Sequence, residues 1–165
     1  MSSAMDSGQE RKWWEDGLSR GLRVQALCIG VSECAAAPEG LGELPNATAD
    51  AKRIAMCVEE LGESKSVLVG NLVDKSNLAR KVRAFAFSVD KHRPPRIVLV
   101  FYAGHEMQHG DAIYLLPSKA NPKTPDELKS QGLSHDELFC ILKKSVDDQI
   151  DIRNVLYLVI LDTCR

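Results

Sequence analysis

The sequence lacks several features that would each assign it to a large class of proteins. Its formal net charge is only −2, and because both signs are mixed along the chain there is no electrostatic case for nucleic-acid binding. No apolar stretch approaches the roughly 20 residues that span a bilayer, and the polar N-terminus has no apolar core of the secretory type. These absences predict a cytoplasmic protein that binds neither nucleic acid nor membrane.

The sequence also has no pattern of a disulfide framework, a metal site or a phosphate loop. Its five cysteines are an odd number without a C-x-x-C pair, which favours free thiols over disulfides or structural zinc. His105 and His109 are four residues apart, but the glycines around them indicate a turn and not a metal-binding helix face. No G-x-G-x-x-G follows the first predicted strand, so a nucleotide-binding or phospho-signalling module is poorly supported. We expect no metal and no cofactor.

What is present is the composition of one ordinary globular domain. Hydrophobic residues make up 44% of the 165 residues and charged residues 27%, which is enough to bury a core. We expect residues 1–21 to form a flexible tail and residues 22–165 to form one α/β domain. Cys28, Cys57 and Cys140 fall on predicted core faces and are expected to be inert packing residues.

Hydrophobic periodicity predicts strands that alternate with helices. Helices are expected after Asn46, Ser76 and Ser134, with Ser134 and Glu137 forming a capping box. The segment 117–133 contains three prolines and is predicted to be a connecting loop. The predicted strands are the apolar runs 24–31, 66–69, 96–102 and 155–161, with a short strand over 112–116. Right-handed crossovers would then place helices on both faces of a mainly parallel sheet.

Two of these strands end in residues that carry chemistry. The run 96–102 breaks at Ala103-Gly104 and is followed by His105, and the run 155–161 breaks into Asp162-Thr163 and is followed by Cys164. Ligands bind beyond the carboxyl ends of the strands in open α/β sheets. Taken singly, His105 could be a solvated turn residue and Cys164 a packing residue. Together they predict a base and a thiol in one crevice, as in cysteine nucleophilic catalysis.

The sequence resembles the large-subunit (p20) region of the caspase-like cysteine proteases, from about Leu22 to Arg165. Cys164 follows His105 by about 60 residues, near the spacing of about 50 in the caspase pattern. The motifs that carry the resemblance are Leu-Pro-Asn-Ala-Thr-Ala-Asp-Ala at 44–51, Tyr-Ala-Gly-His at 102–105 with Gly-Asp at 110–111 and Tyr-Leu-Leu-Pro at 114–117, and Asp-Thr-Cys-Arg at 162–165. Within that clan they are more similar to paracaspases and metacaspases than to true caspases. The resemblance implies a three-layer caspase-like fold.

The resemblance also implies roles for individual residues. Cys164 is the expected nucleophile and His105 the expected acid/base, with the backbone N–H groups of Cys164 and Glu106 holding the oxyanion. Glycine is usual at the second oxyanion position, so Glu106 would be strained if that backbone needs a positive φ, and its charge would oppose the oxyanion. Asp50 and Asp162 match the aspartates of a pocket that selects arginine or lysine. Their alternatives are a favourable first-turn carboxylate for Asp50 and a solvated loop acid for Asp162.

We therefore expect a cysteine endopeptidase that cleaves proteins and peptides after arginine or lysine. The alternative is a weak or inactive caspase-fold scaffold that acts through protein–protein binding, which Glu106 favours. Because the sequence stops one residue after Cys164, we expect the fold to be truncated there and the C-terminal region to be missing. In relatives that region supplies the remaining strands, the second wall of the pocket and the edge used for homodimerisation. We expect these 165 residues alone to have little peptidase activity.

Overall fold

The computed structural model describes residues 23–33, 43–61, 64–70, 72–90, 92, 95, 97–147 and 155–164. The predicted tail, residues 1–21, lies outside them. The strands are β1 (Val24–Gly30), β2 (Lys65–Gly70), β3 (Ile97–His109), β4 (Ala112–Leu115), β5 (Leu133–Ser134) and β6 (Leu156–Cys164). The helices are α1 (Ala47–Glu59), α2 (Lys75–Ser88), α3 (Pro125–Gln131) and α4 (His135–Asp147). None of the helices in the described ranges has the length and apolar character needed to cross a bilayer.

The centre of the sheet is parallel, as predicted. β1 lies between β2 and β3, and β6 pairs with the other edge of β3, all in parallel register. The last four residues of β3 then pair antiparallel with β4, and β4 pairs with the short strand β5. β3 is therefore shared by a parallel ladder and an antiparallel one.

Helices cover both faces of this sheet, which confirms the predicted α/β architecture. Alternate residues of a strand point to opposite faces. On one face Ala26, Cys28 and Phe101 pack with the buried side of α1. On the other face Leu27, Val100 and Tyr102 lie in a core that includes residues of α2 and α4. Burial of these two apolar faces is what fixes the strands between the helices.

The helix starts are partly as predicted. Ser134 and Glu137 form the expected capping box, with the Glu137 N–H donating to Ser134 Oγ at 3.1 Å and the Ser134 N–H donating to Glu137 Oε2 at 3.0 Å. The prediction that Ser76 caps α2 was wrong, because Asp74 is the N-cap and accepts from the Asn77 N–H at 2.7 Å. Asn46 is the N-cap of α1 by position, but its side chain makes no capping hydrogen bond.

The prediction of a loop across residues 117–133 was wrong, because α3 forms inside it. The helix begins with Pro125, whose fixed φ and missing N–H suit the first turn. Thr124 accepts a hydrogen bond from the Glu127 N–H at 3.2 Å. The segment Thr-Pro-Asp-Glu at 124–127 therefore starts a helix. The three prolines of the region had led to the prediction of a loop.

The prediction that β3 breaks at Ala103-Gly104 was also wrong. β3 runs on to His109 because β4 takes over its hydrogen bonding where β1 ends. The Leu116 N–H donates to the His105 carbonyl at 3.0 Å. His105 therefore lies inside a continuous strand, at the point where β3 passes from parallel to antiparallel partners.

Candidate active site

The β3–β6 register brings the two predicted catalytic positions together. The ladder runs without interruption from the pair Ile97–Leu156 to the pair His105–Cys164. Because adjacent strands of a sheet lie about 4.8 Å apart, the backbones of His105 and Cys164 are nearest neighbours. The fold thus makes neighbours of two residues that are about 60 positions apart in the sequence.

The backbone of His105 is anchored by two neighbouring residues. The residue is 2% exposed, and its carbonyl accepts from the Leu116 N–H at 3.0 Å and from the Tyr102 hydroxyl at 3.1 Å. The same hydroxyl lies 2.8 Å from the Leu116 carbonyl. The buried Tyr102 phenol thus joins β3 to the chain that leaves β4, directly at the histidine.

Gly104 makes room for that phenol. A Cβ at this position would lie 2.6 Å from the Tyr102 hydroxyl oxygen and 2.7 Å from the ring carbon that bears it. Neither atom is a flexible side-chain end, since the ring is fully buried. The glycine before His105 is therefore a packing requirement of the site.

Glu106 lies inside β3, so its backbone is extended and the positive φ that would strain a glutamate does not occur there. Strand alternation places its side chain on the face of the sheet opposite to that of His105. The carbonyls of Ala103 and His105 accept from Val31 and Leu116, on the β1 and β4 side of the strand. The N–H of Glu106 therefore points to the other side of β3, where β6 lies.

Asp50 and Asp162 line one cavity of about 210 Å³ beside these strand ends. Ala103 and Gly104 also line it, which places the cavity next to His105. Its volume is below the roughly 300–1,000 Å³ of small-molecule pockets, so it suits a single side chain. The other lining residues are Leu44, Pro45, Asn46 and Ala47.

The two carboxylates of the cavity have different surroundings. Asp50 Oδ1 pairs with Arg53 Nη1 at 3.0 Å, one turn along α1, and the Asp50 side chain is 30% exposed. Asp162 is exposed, and no ion pair to it forms within the described part of the chain. Sequence reasoning missed Arg53, although charges three residues apart on a helix are neighbours.

Cys28, Cys57 and Cys140 differ in exposure. Cys28 is buried, and burial, with a smaller contribution from the Glu59 charge, raises the pKa of its thiol to about 11. Cys57 and Cys140 are exposed, so the prediction that they pack in the core was wrong. The buried side of α1 is formed by Ala47, Ala51, Ala55 and Val58.

A second cavity, of about 420 Å³, is larger but lies elsewhere. It is bounded by the start of α2 and the end of α3, with Asp74, Lys75 and Gln131 in its wall. None of the described residues that line it is a histidine or a cysteine. The cavity with the two aspartates is therefore the one associated with the paired strand ends.

Comparison with known proteins shows the family to which the chain belongs. A family profile described as caspase domain matches residues 23–165. The chain belongs to the caspase-domain family. No curated protein matches the sequence.

Two solved structures show the same fold as this caspase domain. The structure of pro-sf-caspase-1 superposes with a TM-score of 0.62 at 12% identity, covering 87% of this chain and 51% of its own. A Geobacter sulfurreducens protein superposes with a TM-score of 0.53 at 20% identity, covering 86% of this chain and 50% of its own. The chain thus spans about half the length of the solved structures that it matches.

Proposed function

We propose that this caspase domain is the catalytic part of a cysteine endopeptidase that cleaves after arginine or lysine. The observation that carries the proposal is the pairing of His105 with Cys164 at the end of the β3–β6 ladder, beside a cavity lined by two carboxylates. We also propose that the protease is of the metacaspase or paracaspase type, whose motifs its sequence resembles more than those of true caspases.

In the proposed reaction a proton moves from the Cys164 thiol to a ring nitrogen of His105. The thiolate sulfur attacks the carbonyl carbon of the scissile peptide bond, and the carbonyl oxygen becomes an oxyanion. As the C–N bond breaks, the leaving amine takes the proton from His105. Water then attacks the acyl-thioester with His105 as base, which releases the carboxylic acid and restores the thiol.

The proposed oxyanion donors are the N–H groups of Cys164 and Glu106. The Glu106 N–H points to the β6 side of β3, which is the side the oxyanion would occupy. The β3–β6 ladder ends at the pair His105–Cys164, so Glu106 is the first residue of β3 beyond it. Removal of one such donor typically lowers kcat about 10²- to 10³-fold.

The preference for basic residues is argued from the cavity. Its walls at Leu44, Pro45 and Ala47 are apolar and suit the methylene stem of arginine or lysine. Asp50 and Asp162 supply negative charge to the same cavity. Two carboxylates around one cation favour arginine through bidentate hydrogen bonding.

Affinity labelling of the chain tests the proposal. Peptidyl chloromethyl ketones with arginine or aspartate at the residue before the reactive carbon are incubated with the protein, and modified cysteines are identified by peptide mass spectrometry. We expect the arginyl reagent to label Cys164 at least tenfold faster than the aspartyl reagent, with Cys57 and Cys140 as exposed internal controls.

Two variants sharpen the labelling experiment. Asp162→Asn should slow the arginyl reagent without changing the reaction of Cys57 and Cys140. Cys164→Ala should remove the selective labelling. If Cys164 reacts with the arginyl reagent no faster than the exposed thiols do, the protease proposal fails and the scaffold alternative replaces it.

A further inference from the structure

Arg53 already pairs with one of the two carboxylates that line the cavity. Its guanidinium contacts Asp50 Oδ1 through Nη1 at 3.0 Å, and its side chain is 76% exposed. The contact therefore uses one oxygen of the carboxylate and leaves the second, Oδ2, for another cation. An exposed ion pair of this kind is weak enough to exchange with an incoming charge.

This occupancy changes which cation the site favours. A guanidinium gains most from a carboxylate when its two N–H groups bind both oxygens in parallel. The Arg53 N–H on Oδ1 competes with a second guanidinium that would bind both Asp50 oxygens, whereas an ammonium can bind Oδ2 alone. Asp162 forms no ion pair among the described residues, so it attracts both cations in either case.

We propose that Arg53 is a specificity-determining residue, which lowers the preference of the cavity for arginine over lysine by occupying one carboxylate oxygen of Asp50. The proposal rests on the proposed function, because it assumes that the cavity binds a basic side chain. The effect is expected in binding and not in the chemical step, since Arg53 contacts a cavity residue and neither His105 nor Cys164.

The probes are butylguanidinium and butylammonium, which carry the two cationic groups on the same apolar stem. Each is titrated into the chain, and the backbone amide signals of Ala103 and Gly104, which line the cavity, are followed by NMR. The comparison is between wild type and Arg53→Met. Methionine keeps an unbranched apolar side chain but has none of the N–H donors of arginine. Lys52→Met is the matched control, because Lys52 is an exposed cation on the same helix and its replacement removes the same charge.

We expect Arg53→Met to tighten butylguanidinium binding about two- to fivefold, the range of an exposed ion pair, and to change butylammonium binding less. The guanidinium-to-ammonium ratio should therefore rise in Arg53→Met and stay at the wild-type value in Lys52→Met. An equal gain for both cations in Arg53→Met, or an unchanged ratio, overturns the inference while the proposed function stands. If neither cation shifts the two amides in any variant, the basic-residue preference fails and this inference fails with it.

Discussion

At the residue scale, the position of His105 depends on two neighbours that carry no catalytic chemistry. Tyr102 is fully buried, and its hydroxyl reaches the carbonyls of His105 and Leu116. Gly104 has no side chain, and the phenol fills the space where one would lie. The Tyr-Ala-Gly-His segment is therefore a packing unit as well as a motif.

Gly104→Ala should destabilise the protein by about 1–3 kcal/mol, the usual cost of overpacking. The added Cβ would lie 2.6 Å from the Tyr102 hydroxyl oxygen, so the phenol or the strand must move. The measurement is the urea-unfolding free energy of the variant relative to wild type.

Gly70→Ala is the matched control for this change. Gly70 is also a strand glycine, but the nearest atom to a Cβ there is 3.7 Å away, which is an ordinary contact. Equal unfolding free energies for the two variants would show that the Tyr102–Gly104 packing does not constrain β3.

At the scale of elements, α4 is fixed by a cap that also reaches α2. Glu137 accepts from the Ser134 N–H in the capping box, and Lys75 Nζ lies 2.8 Å from Glu137 Oε1. Lys75 also donates to the Lys129 carbonyl of α3 at 2.8 Å. One lysine thus links the start of α2 to both helices that follow β4.

Glu137 should make stability fall at acidic pH. Burial raises the pKa of its carboxyl, but hydrogen bonds from Lys75 and Ser134 and the Lys75 charge outweigh this and hold it below the ordinary 4.5. A carboxyl with a lowered folded-state pKa stabilises the protein above the unfolded pKa, and that stability is lost as pH falls through the folded value.

The measurement is the difference in unfolding free energy between wild type and Glu137→Gln at several pH values. Because the Glu137 side chain is 46% exposed, we expect a difference of about 1 kcal/mol or less at pH 7, which should vanish well below pH 4.5. Glu60→Gln, which removes one carboxylate at an exposed position after α1, is the control for loss of a surface charge. A difference for Glu137→Gln that persists at low pH would contradict the charge-based explanation.

The elements that could be predicted from sequence were those with long, regular patterns. The strands that carry His105 and Cys164 and the capping box of α4 were expected, because periodicity and caps are local signals. The short helix α3 was missed because three prolines outweighed a seven-residue pattern. The continuation of β3 past Gly104 was missed because it depends on β4, a neighbour that local sequence does not reveal.

At the scale of the whole molecule, the site exists because two distant strands share one register. The parallel ladder aligns residues from 97 and 156 up to 105 and 164, so the register of the core also sets the register of the site. The family resemblance implied that Asp50 and Asp162 share one pocket, and both line the same cavity in the structure. The sequence could not predict the ion pair between Arg53 and Asp50, because that contact depends on the side-chain rotamers of both residues.

The central claim is that His105 and Cys164 act as a pair across the β3–β6 ladder. Its most direct test is the rate at which iodoacetamide alkylates each cysteine at neutral pH, followed by peptide mass spectrometry in wild type and in His105→Gln. An ordinary thiol is only a few per cent thiolate at this pH, so an activated Cys164 should react on the order of tenfold faster than the exposed Cys57 and Cys140. The account predicts that His105→Gln lowers the rate at Cys164 to theirs, whereas equal rates at Cys164 in the two proteins would contradict it.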